Sequence, residues 1–123
     1  MSVKYTKEHE WVRVEGDVAT CGISVYAAEQ LGDIVYVELP AAGKAVKKDG
    51  EMAVVESAKA ASDVFAPISG TIMAVNDALS GDPALVNSGP EGEGWMVKLK
   101  IGDASELAAL MDEAAYKEFV GSL

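Results

Sequence analysis

Short apolar stretches separated by turn-forming residues fill positions 11–101, and this spacing constrains the fold more than any other feature of the chain. The first two stretches, at 11–14 and 18–23, are joined by Glu-Gly-Asp at 15–17, a combination typical of a tight turn between strands. Many short strands with closely spaced turns are characteristic of β-sandwiches and small β-barrels. The pattern therefore predicts a mainly β protein.

The same pattern predicts five further strands and one interrupting helix. A short helix is expected near 24–31, because Ser24 can cap its start and Gly32 can end it. Pro40 is expected to stop the strand that follows this helix. The five strands are expected at 33–39, 52–57, 61–65, 70–75 and 94–101.

The C-terminal segment, about 103–121, carries a helical pattern. Asp103 or Ser105 can cap a first helix and Asp112 a second. Its apolar stripe consists of Leu107, Leu110, Met111, Tyr116, Phe119 and Val120. Since no linker-like stretch separates this segment from the rest, we expect it to pack on the β body. Residues 1–123 are then one domain, which 123 residues are long enough to form.

Charge and hydropathy exclude several classes of partner. The chain has 10 basic and 20 acidic residues, a net charge of -10, which disfavours nucleic acids and anionic membranes because phosphate binding requires clustered Lys and Arg. No apolar run approaches the ~20 residues that span a bilayer. Residues 1–4 resemble neither a signal peptide nor a targeting peptide, so we expect a cytoplasmic protein; a mature mitochondrial form with an added methionine has the same appearance.

A self-contained active site is not evident in the sequence. The single histidine, His9 in Glu8-His9-Glu10, is more simply a hydrogen-bonded side chain than a metal ligand with two carboxylates. The single cysteine, Cys21, lies in a strand-like run, where cysteine usually behaves as a small buried apolar group. These observations favour a binding, carrier or scaffold role over an independent enzyme.

Lys59 differs from the other cationic residues in its position. It lies between the predicted strands 52–57 and 61–65, so it falls at the tip of a hairpin if these strands pair. Its neighbours Ala58 and Ala60 are small and leave the ammonium group accessible. A solvent-exposed turn lysine that aids solubility is the simplest alternative.

The residues around Lys59 resemble the lipoyl and biotinyl carrier domains. The similarity extends over about 35–75 and includes the run Ala66-Pro67-Ile68-Ser69-Gly70. It implies a barrel-sandwich hybrid of two small antiparallel sheets, with a hairpin lysine acylated by the cofactor. Biotinyl carriers typically have Met on both sides of that lysine, whereas alanine stands at both positions here. Together with Glu56, three residues before the lysine, this favours lipoate.

Almost the whole chain is similar to the glycine cleavage H-protein family. The matching motifs are Tyr5-Thr6-Lys7-Glu8-His9-Glu10-Trp11-Val12, Gly22-Ile23-Ser24, Leu31-Gly32-Asp33-Ile34-Val35-Tyr36-Val37-Glu38-Leu39-Pro40, Glu56-Ser57-Ala58-Lys59-Ala60-Ala61-Ser62-Asp63, Leu85-Val86-Asn87, Gly92-Glu93-Gly94-Trp95 and Ala115-Tyr116-Lys117-Glu118-Phe119. The resemblance implies a non-enzymatic carrier of an aminomethyl group. Its partners are then a pyridoxal-phosphate glycine decarboxylase, a tetrahydrofolate-dependent aminomethyltransferase, dihydrolipoamide dehydrogenase and a lipoate-attaching enzyme.

The resemblance also implies roles for four carboxylates. Glu10 and Asp63 match positions that hold the ammonium group of the loaded arm in a cleft, and Glu8 is a looser match. Glu56 is a candidate for recognition by the lipoate-attaching enzyme. The alternative for each is an ordinary surface acid.

Three other functions remain compatible with the motifs. An H-like carrier that relays lipoate to other lipoyl enzymes has the same acceptor motif, although a donor does not require carboxylates that hold an ammonium group. A biotin carrier and an unmodified scaffold are disfavoured by the residues at and beside Lys59. Nothing in the sequence calls for more than a monomer.

Overall fold

The computed structural model describes residues 2–123, in which most of the chain forms two antiparallel β-sheets. The strands are β1 (Ser2–Tyr5), β2 (Glu10–Glu15), β3 (Val18–Ile23), β4 (Ile34–Glu38), β5 (Ala45–Val46), β6 (Glu51–Ser57), β7 (Ala61–Phe65), β8 (Gly70–Val75), β9 (Val97–Ile101) and β10 (Met111–Asp112). The α-helices are α1 (Val25–Leu31), α2 (Ala78–Gly81), α3 (Leu85–Ser88) and α4 (Glu113–Gly121), and a 3-10 helix spans Ala104–Ala109.

The two sheets differ in size. The larger has seven strands in the order β10-β1-β2-β3-β9-β8-β5, and the smaller has three in the order β4-β6-β7. The expected mainly β architecture with two antiparallel sheets is confirmed.

Both sheets contribute to one apolar core. Val12 and Leu99 of the larger sheet and Val55 and Val64 of the smaller are buried in the same cluster. A second cluster, formed by Tyr5, Trp11 and Tyr116 with partly buried neighbours, joins α4 to the N-terminal strands. The expectation that the C-terminal segment packs on the β body is thereby confirmed.

The predicted short helix is present with both of its expected ends. Ser24 precedes α1, and its hydroxyl accepts a hydrogen bond from Ala27 N at 3.2 Å. Gly32 follows the helix with φ 81°, in the left-handed region that glycine adopts without steric penalty. Local capping chemistry therefore sets the boundaries of α1.

Two predicted strands are shorter in the structure. The strand expected at 94–101 begins at Val97, because Gly94 N and Trp95 N donate instead to Gly89 O and Gly92 O of the preceding turn. The strand expected at 33–39 is Ile34–Glu38. In the first case a neighbouring turn ends the ladder of hydrogen bonds.

The C-terminal segment combines two kinds of helix. The first is 3-10 rather than α, and Asp103 caps it by accepting a hydrogen bond from Ser105 N at 3.0 Å. Asp112 caps α4 through Ala115 N at 2.8 Å, as expected. Strands β1 and β10, which pair with each other, the short strand β5 and helices α2 and α3 were not predicted. Among residues 2–123, the longest apolar helix falls short of what a membrane crossing requires.

Candidate functional site

Lys59 lies at the exposed tip of the hairpin formed by β6 and β7. The register pairs Val55 with Ser62 and Glu56 with Ala61, which leaves a short exposed loop at 58–60. The predicted hairpin is thus confirmed. An exposed primary amine on a tight loop is open to an enzyme that acylates it.

The hydroxyl of Ser57 organises this loop. It accepts hydrogen bonds from Lys59 N at 3.3 Å and Ala60 N at 3.1 Å, and it donates to Ala60 O at 3.1 Å. The backbone N–H of Ser57 also donates to Ala60 O, at 2.7 Å. Because the side chain is largely buried, these bonds are shielded from competing water. Ser57 therefore fixes the backbone that presents Lys59.

The turn after α1 lies against the base of the loop. Asp33 O accepts a hydrogen bond from Ala58 N at 3.2 Å. Asn87 holds this turn on the other side, since its amide donates to Gly32 O and accepts from Ile34 N, both at 2.8 Å. The hairpin tip is in this way connected to α3, 28 positions further along the chain than Lys59.

A cleft of about 520 Å³ opens between β7, α1 and the turn that precedes β2. Its apolar lining includes Ile23, Ala27, Leu31, Val55, Val64 and Phe65. The polar lining includes Glu8, His9, Glu10, Gln30, Ser62 and Asp63. The structure therefore brings together the three carboxylates that the sequence had marked as docking candidates, with an apolar floor between them.

Glu10 is buried, so the alternative of a surface acid is wrong for this residue. Its side chain is 3% exposed, and it accepts hydrogen bonds from Thr6 Oγ1 at 2.6 Å and Phe65 N at 3.3 Å. Burial raises the pKa of Glu10 from 4.5 to about 7, against the opposing effect of the two hydrogen bonds, and the negative charge of Glu8 raises it further. A carboxylate has about four lone-pair sites, so an ionised Glu10 can still accept bonds from a cation in the cleft.

Asp63 and Glu8 are exposed side chains at the cleft. Asp63 lies on β7, opposite Val54 of β6, and Glu8 lies in the turn before β2, where its backbone N–H donates to Thr6 Oγ1 at 3.2 Å. Their exposure keeps their charges in a solvated environment, unlike that of Glu10. The cleft thus presents one buried and two solvated carboxylates.

Glu56 lies apart from the cleft. The cleft lining includes Val55, the residue before it on β6, but not Glu56. Glu56 is half-buried and its register partners are Tyr36 and Ala61. Glu56 can contact an enzyme that approaches the hairpin, but it has no place in the cleft.

The single histidine, His9, and the single cysteine, Cys21, both make contacts typical of residues that stabilise the fold. His9 Nδ1 is 2.7 Å from Tyr116 Oη, which confirms the interpretation of a hydrogen-bonded histidine. Cys21 is completely buried on β3, as predicted, and burial strongly raises the pKa of its thiol. Within residues 2–123, no group of three or more His, Cys, Asp or Glu side chains is arranged to hold a metal ion.

Sequence reasoning missed several residues that shape the site. Thr6 binds the carboxylate of Glu10, Ser57 and Asn87 support the hairpin loop, and Gln30 lines the cleft. A serine two residues before Lys59, in a turn, was the one usable signal, because serine hydroxyls commonly bond to nearby backbone groups in turns. The other three act through contacts that the sequence does not display.

Comparisons with known proteins agree with this architecture. Residues 3–122 match the family model described as Glycine cleavage H-protein. The glycine cleavage system H protein of Xanthobacter autotrophicus is 61% identical over 122 residues, covering 99% of this chain and 98% of that protein. That of Bradyrhizobium diazoefficiens is 60% identical over 113 residues, covering 92% and 93%. The crystal structure of a glycine cleavage system H protein from Mycobacterium marinum matches with a TM-score of 0.89 at 35% identity, covering 98% of this chain and 97% of that one.

Proposed function

The chain belongs to the glycine cleavage H-protein family and is thus a lipoyl carrier of the glycine cleavage system, and we propose that Lys59 is the residue that bears its lipoate. The observation that carries this proposal is the exposed position of Lys59 at the tip of the β6–β7 hairpin, beside an apolar cleft with acidic groups. An apolar chain that ends in a cationic amine is complementary to such a cleft. The residues present therefore fit the cofactor.

Lipoate supplies the dithiol–disulfide chemistry by which an aminomethyl group is taken up and given up. We propose that glycine decarboxylase loads the carrier, that a tetrahydrofolate-dependent aminomethyltransferase unloads it, and that dihydrolipoamide dehydrogenase reoxidises it. Tethering through Lys59 raises the effective concentration of the reactive group at each partner without tight binding to any of them. The chain's own contribution is to present, orient and protect this group.

The docking site that we propose for the loaded arm is the cleft beside the hairpin. Lys59 lies two residues before Ala61, the first cleft residue of β7. In the cleft, Glu10 and Asp63 would accept hydrogen bonds from the ammonium group, and Glu8 would add negative charge at the entrance. Charge-assisted bonds of this kind are strong where water is partly excluded. Docking then shields a labile aminomethyl group from hydrolysis.

The modification test uses intact mass and peptide mapping on chains produced in cells supplied with lipoate. A lipoyl mass increment is expected only on the peptide that contains Lys59, and the variant Lys59→Arg should lack it. A biotin increment, or a lipoyl increment on another lysine, contradicts the assignment. Glycine-dependent bicarbonate exchange with the decarboxylase then tests the loading step, again with Lys59→Arg as the inactive control.

The docking test compares the rates at which amine-loaded carriers release formaldehyde and ammonia. The double variant Glu10→Gln with Asp63→Asn keeps the shapes of both side chains and removes their charges. It should release both products faster than the parent, and an unchanged rate rules out docking against these carboxylates. Glu8→Gln is expected to have a smaller effect, because Glu8 is exposed and screened.

We also propose that Glu56 takes part in recognition by the lipoate-attaching enzyme. Its half-buried side chain is on the strand that leads to Lys59 and outside the lining of the cleft, so an enzyme bound at the hairpin can reach it without entering the cleft. Glu56→Ala should slow lipoylation while leaving the release of a loaded amine unchanged. A normal lipoylation rate leaves Glu56 as a charge that only aids solubility.

A further inference from the structure

The turn between Glu8 and Glu10 has an unfavourable backbone conformation at its centre. His9 has φ 69°, in the left-handed region that residues with a side chain rarely adopt. Its two neighbours in sequence carry cleft carboxylates, so the backbone angles of His9 set the positions of Glu8 and Glu10 relative to each other. Contacts within and outside the turn stabilise this arrangement.

Two backbone hydrogen bonds hold His9 from either side. Its N–H donates to Thr6 O at 3.1 Å, and its C=O accepts from Ser24 N at 2.9 Å. Ser24 is completely buried and caps α1, whose residues line the cleft. The turn is in this way connected to the opposite wall of the cleft.

The C-terminal helix holds the imidazole ring. Tyr116 of α4 places its hydroxyl 2.7 Å from His9 Nδ1 and 2.7 Å from Ser24 Oγ, so one oxygen joins the turn, the start of α1 and α4. The rings of Tyr26 and Phe119 lie 4.7 and 5.9 Å from the imidazole centroid. Since Tyr116 is only 6% exposed, this junction is shielded from water.

We propose that Tyr116 is a positioning residue for the docking cleft: its hydroxyl holds the ring of His9 and so keeps Glu8 and Glu10 in place for the amine of the loaded arm. This inference rests on the docking function proposed above. Tyr116 itself does not touch the arm, and it acts through His9. The C-terminal helix, 107 residues away from His9 in sequence, thereby contributes to the protection of the aminomethyl group.

The hydrogen bonding of the Tyr116 hydroxyl can be tested separately from the packing of the Tyr116 ring. Tyr116 stacks on Tyr5, with centroids 4.3 Å apart and planes 5° from parallel. Tyr5 uses its own hydroxyl for a different contact, a hydrogen bond donated to Glu91 Oε1 at 2.6 Å. Both rings of the stack therefore have hydroxyl contacts to side chains at 2.6–2.7 Å, one for Tyr5 and two for Tyr116, but only the hydroxyl of Tyr116 reaches the turn.

The experiment compares Tyr116→Phe with its matched control Tyr5→Phe, since each keeps the stacked ring and loses one hydroxyl. Formaldehyde and ammonia release is measured on fully lipoylated, amine-loaded carriers. The ¹⁵N resonances of the imidazole, which belong to the only histidine of the chain, report on His9 directly. We expect Tyr116→Phe to speed release about two- to tenfold, the net effect of losing the hydrogen bond to His9, and to shift the His9 Nδ1 resonance. Tyr5→Phe should change neither readout.

The possible outcomes distinguish this inference from the function on which it rests. A Tyr116→Phe carrier with the parent's release rate overturns the positioning role alone, whether or not the Nδ1 resonance shifts. Equal acceleration by Tyr5→Phe assigns the effect to the packing of α4 and also overturns it. If the parent releases its amine as fast as the double variant Glu10→Gln with Asp63→Asn does, the docking function is wrong, and this inference is wrong with it.

Discussion

The carboxylate of Glu10 on β2 accepts a hydrogen bond from the backbone N–H of Phe65, the last residue of β7, at 3.3 Å. Glu10 belongs to the seven-stranded sheet, whereas β7 belongs to the three-stranded sheet that bears Lys59. The side chain of Glu10 thus connects the two sheets by binding the backbone at the last residue of β7, at the wall of the cleft. The same carboxylate couples the stability of the fold to the proposed docking of the arm.

The first prediction concerns stability and pH. Because the folded-state pKa of Glu10, about 7, lies above its ordinary value of 4.5, the native state binds more protons than the unfolded state between these values. The contribution of Glu10 to stability is therefore complete below about pH 4.5 and is lost as pH rises through 7. The loss is on the order of 2–3 kcal/mol. Urea unfolding at pH 5 and pH 8 should show this loss in the parent and not in Glu10→Gln.

Glu15→Gln is the matched control for this measurement, since Glu15 is an exposed carboxylate on the same strand. It should keep the parent's dependence of unfolding free energy on pH. Identical slopes for the parent and Glu10→Gln contradict the raised pKa. The comparison between variants removes the opposite contribution of His9, whose pKa is lowered by burial.

The second prediction concerns the release of the amine and pH. Docking requires an ionised Glu10, whose pKa in the cleft without the arm is about 7, so the protective effect should weaken as pH falls. The ammonium group of the arm should itself lower the pKa of Glu10, because an opposite charge favours the ionised form. The ratio of the release rates of Glu10→Gln and the parent should therefore be largest above pH 7 and approach one in acid. A ratio that does not vary with pH contradicts this role, whatever the intrinsic pH dependence of hydrolysis.

The third prediction concerns the loop that presents Lys59. Ser57→Ala removes one donated and two accepted hydrogen bonds, so the backbone at 58–60 loses its constraint. We expect a loss of about 1–2 kcal/mol in unfolding free energy and a slower rate of lipoylation, followed by mass spectrometry. Ser57→Thr retains the hydroxyl and should recover most of the rate. Ser62→Ala, on the other strand of the hairpin, is the control, and an equal slowing by both alanine variants contradicts a specific role.

The fourth prediction concerns the packing of Trp11 on Gly22, its partner in the β2–β3 register. A β-carbon at Gly22 would lie 2.9 Å from Trp11 Nε1. The indole cannot move aside easily, because Trp11 is 1% exposed and Nε1 donates to Pro90 O at 2.9 Å. Gly22→Ala should therefore lower the unfolding free energy by about 1–3 kcal/mol, visible as a lower melting temperature. Gly81→Ala is the control, since nothing lies within 4 Å of a β-carbon there.

Features that depend on neighbouring residues were predictable from the sequence. The β6–β7 hairpin and the position of Lys59 at its tip follow from two strand-like runs separated by the short segment 58–60. The capping of α1 by Ser24 follows from side-chain chemistry within three residues. The strand expected at 94–101 was too long for a related reason: the alternation of apolar residues continues through Gly94 and Trp95, but their N–H groups are used by a turn.

The docking residues were identified by resemblance to a family and not by their own pattern. Glu10 and Asp63 are 53 positions apart, and nothing in the sequence near either of them indicates a shared cleft. Their roles as ligands of the arm remain proposals. The structure adds the difference in burial between them, and burial is what raises the pKa of Glu10.

The sequence by itself determined the strand-rich character, most hairpins, the helix caps and the exposed lysine, because hydrophobic alternation and capping act over a few residues. Only the tertiary structure decided that Glu10 is buried against Phe65, that Asn87 braces the turn beside the hairpin, and that Tyr116 reaches His9. These contacts join positions 53 to 107 residues apart. The desolvation that raises the pKa of a buried carboxyl group comes from every element packed around it. The raised pKa of Glu10 therefore depends on the folded structure around it, and no local stretch of sequence predicts it.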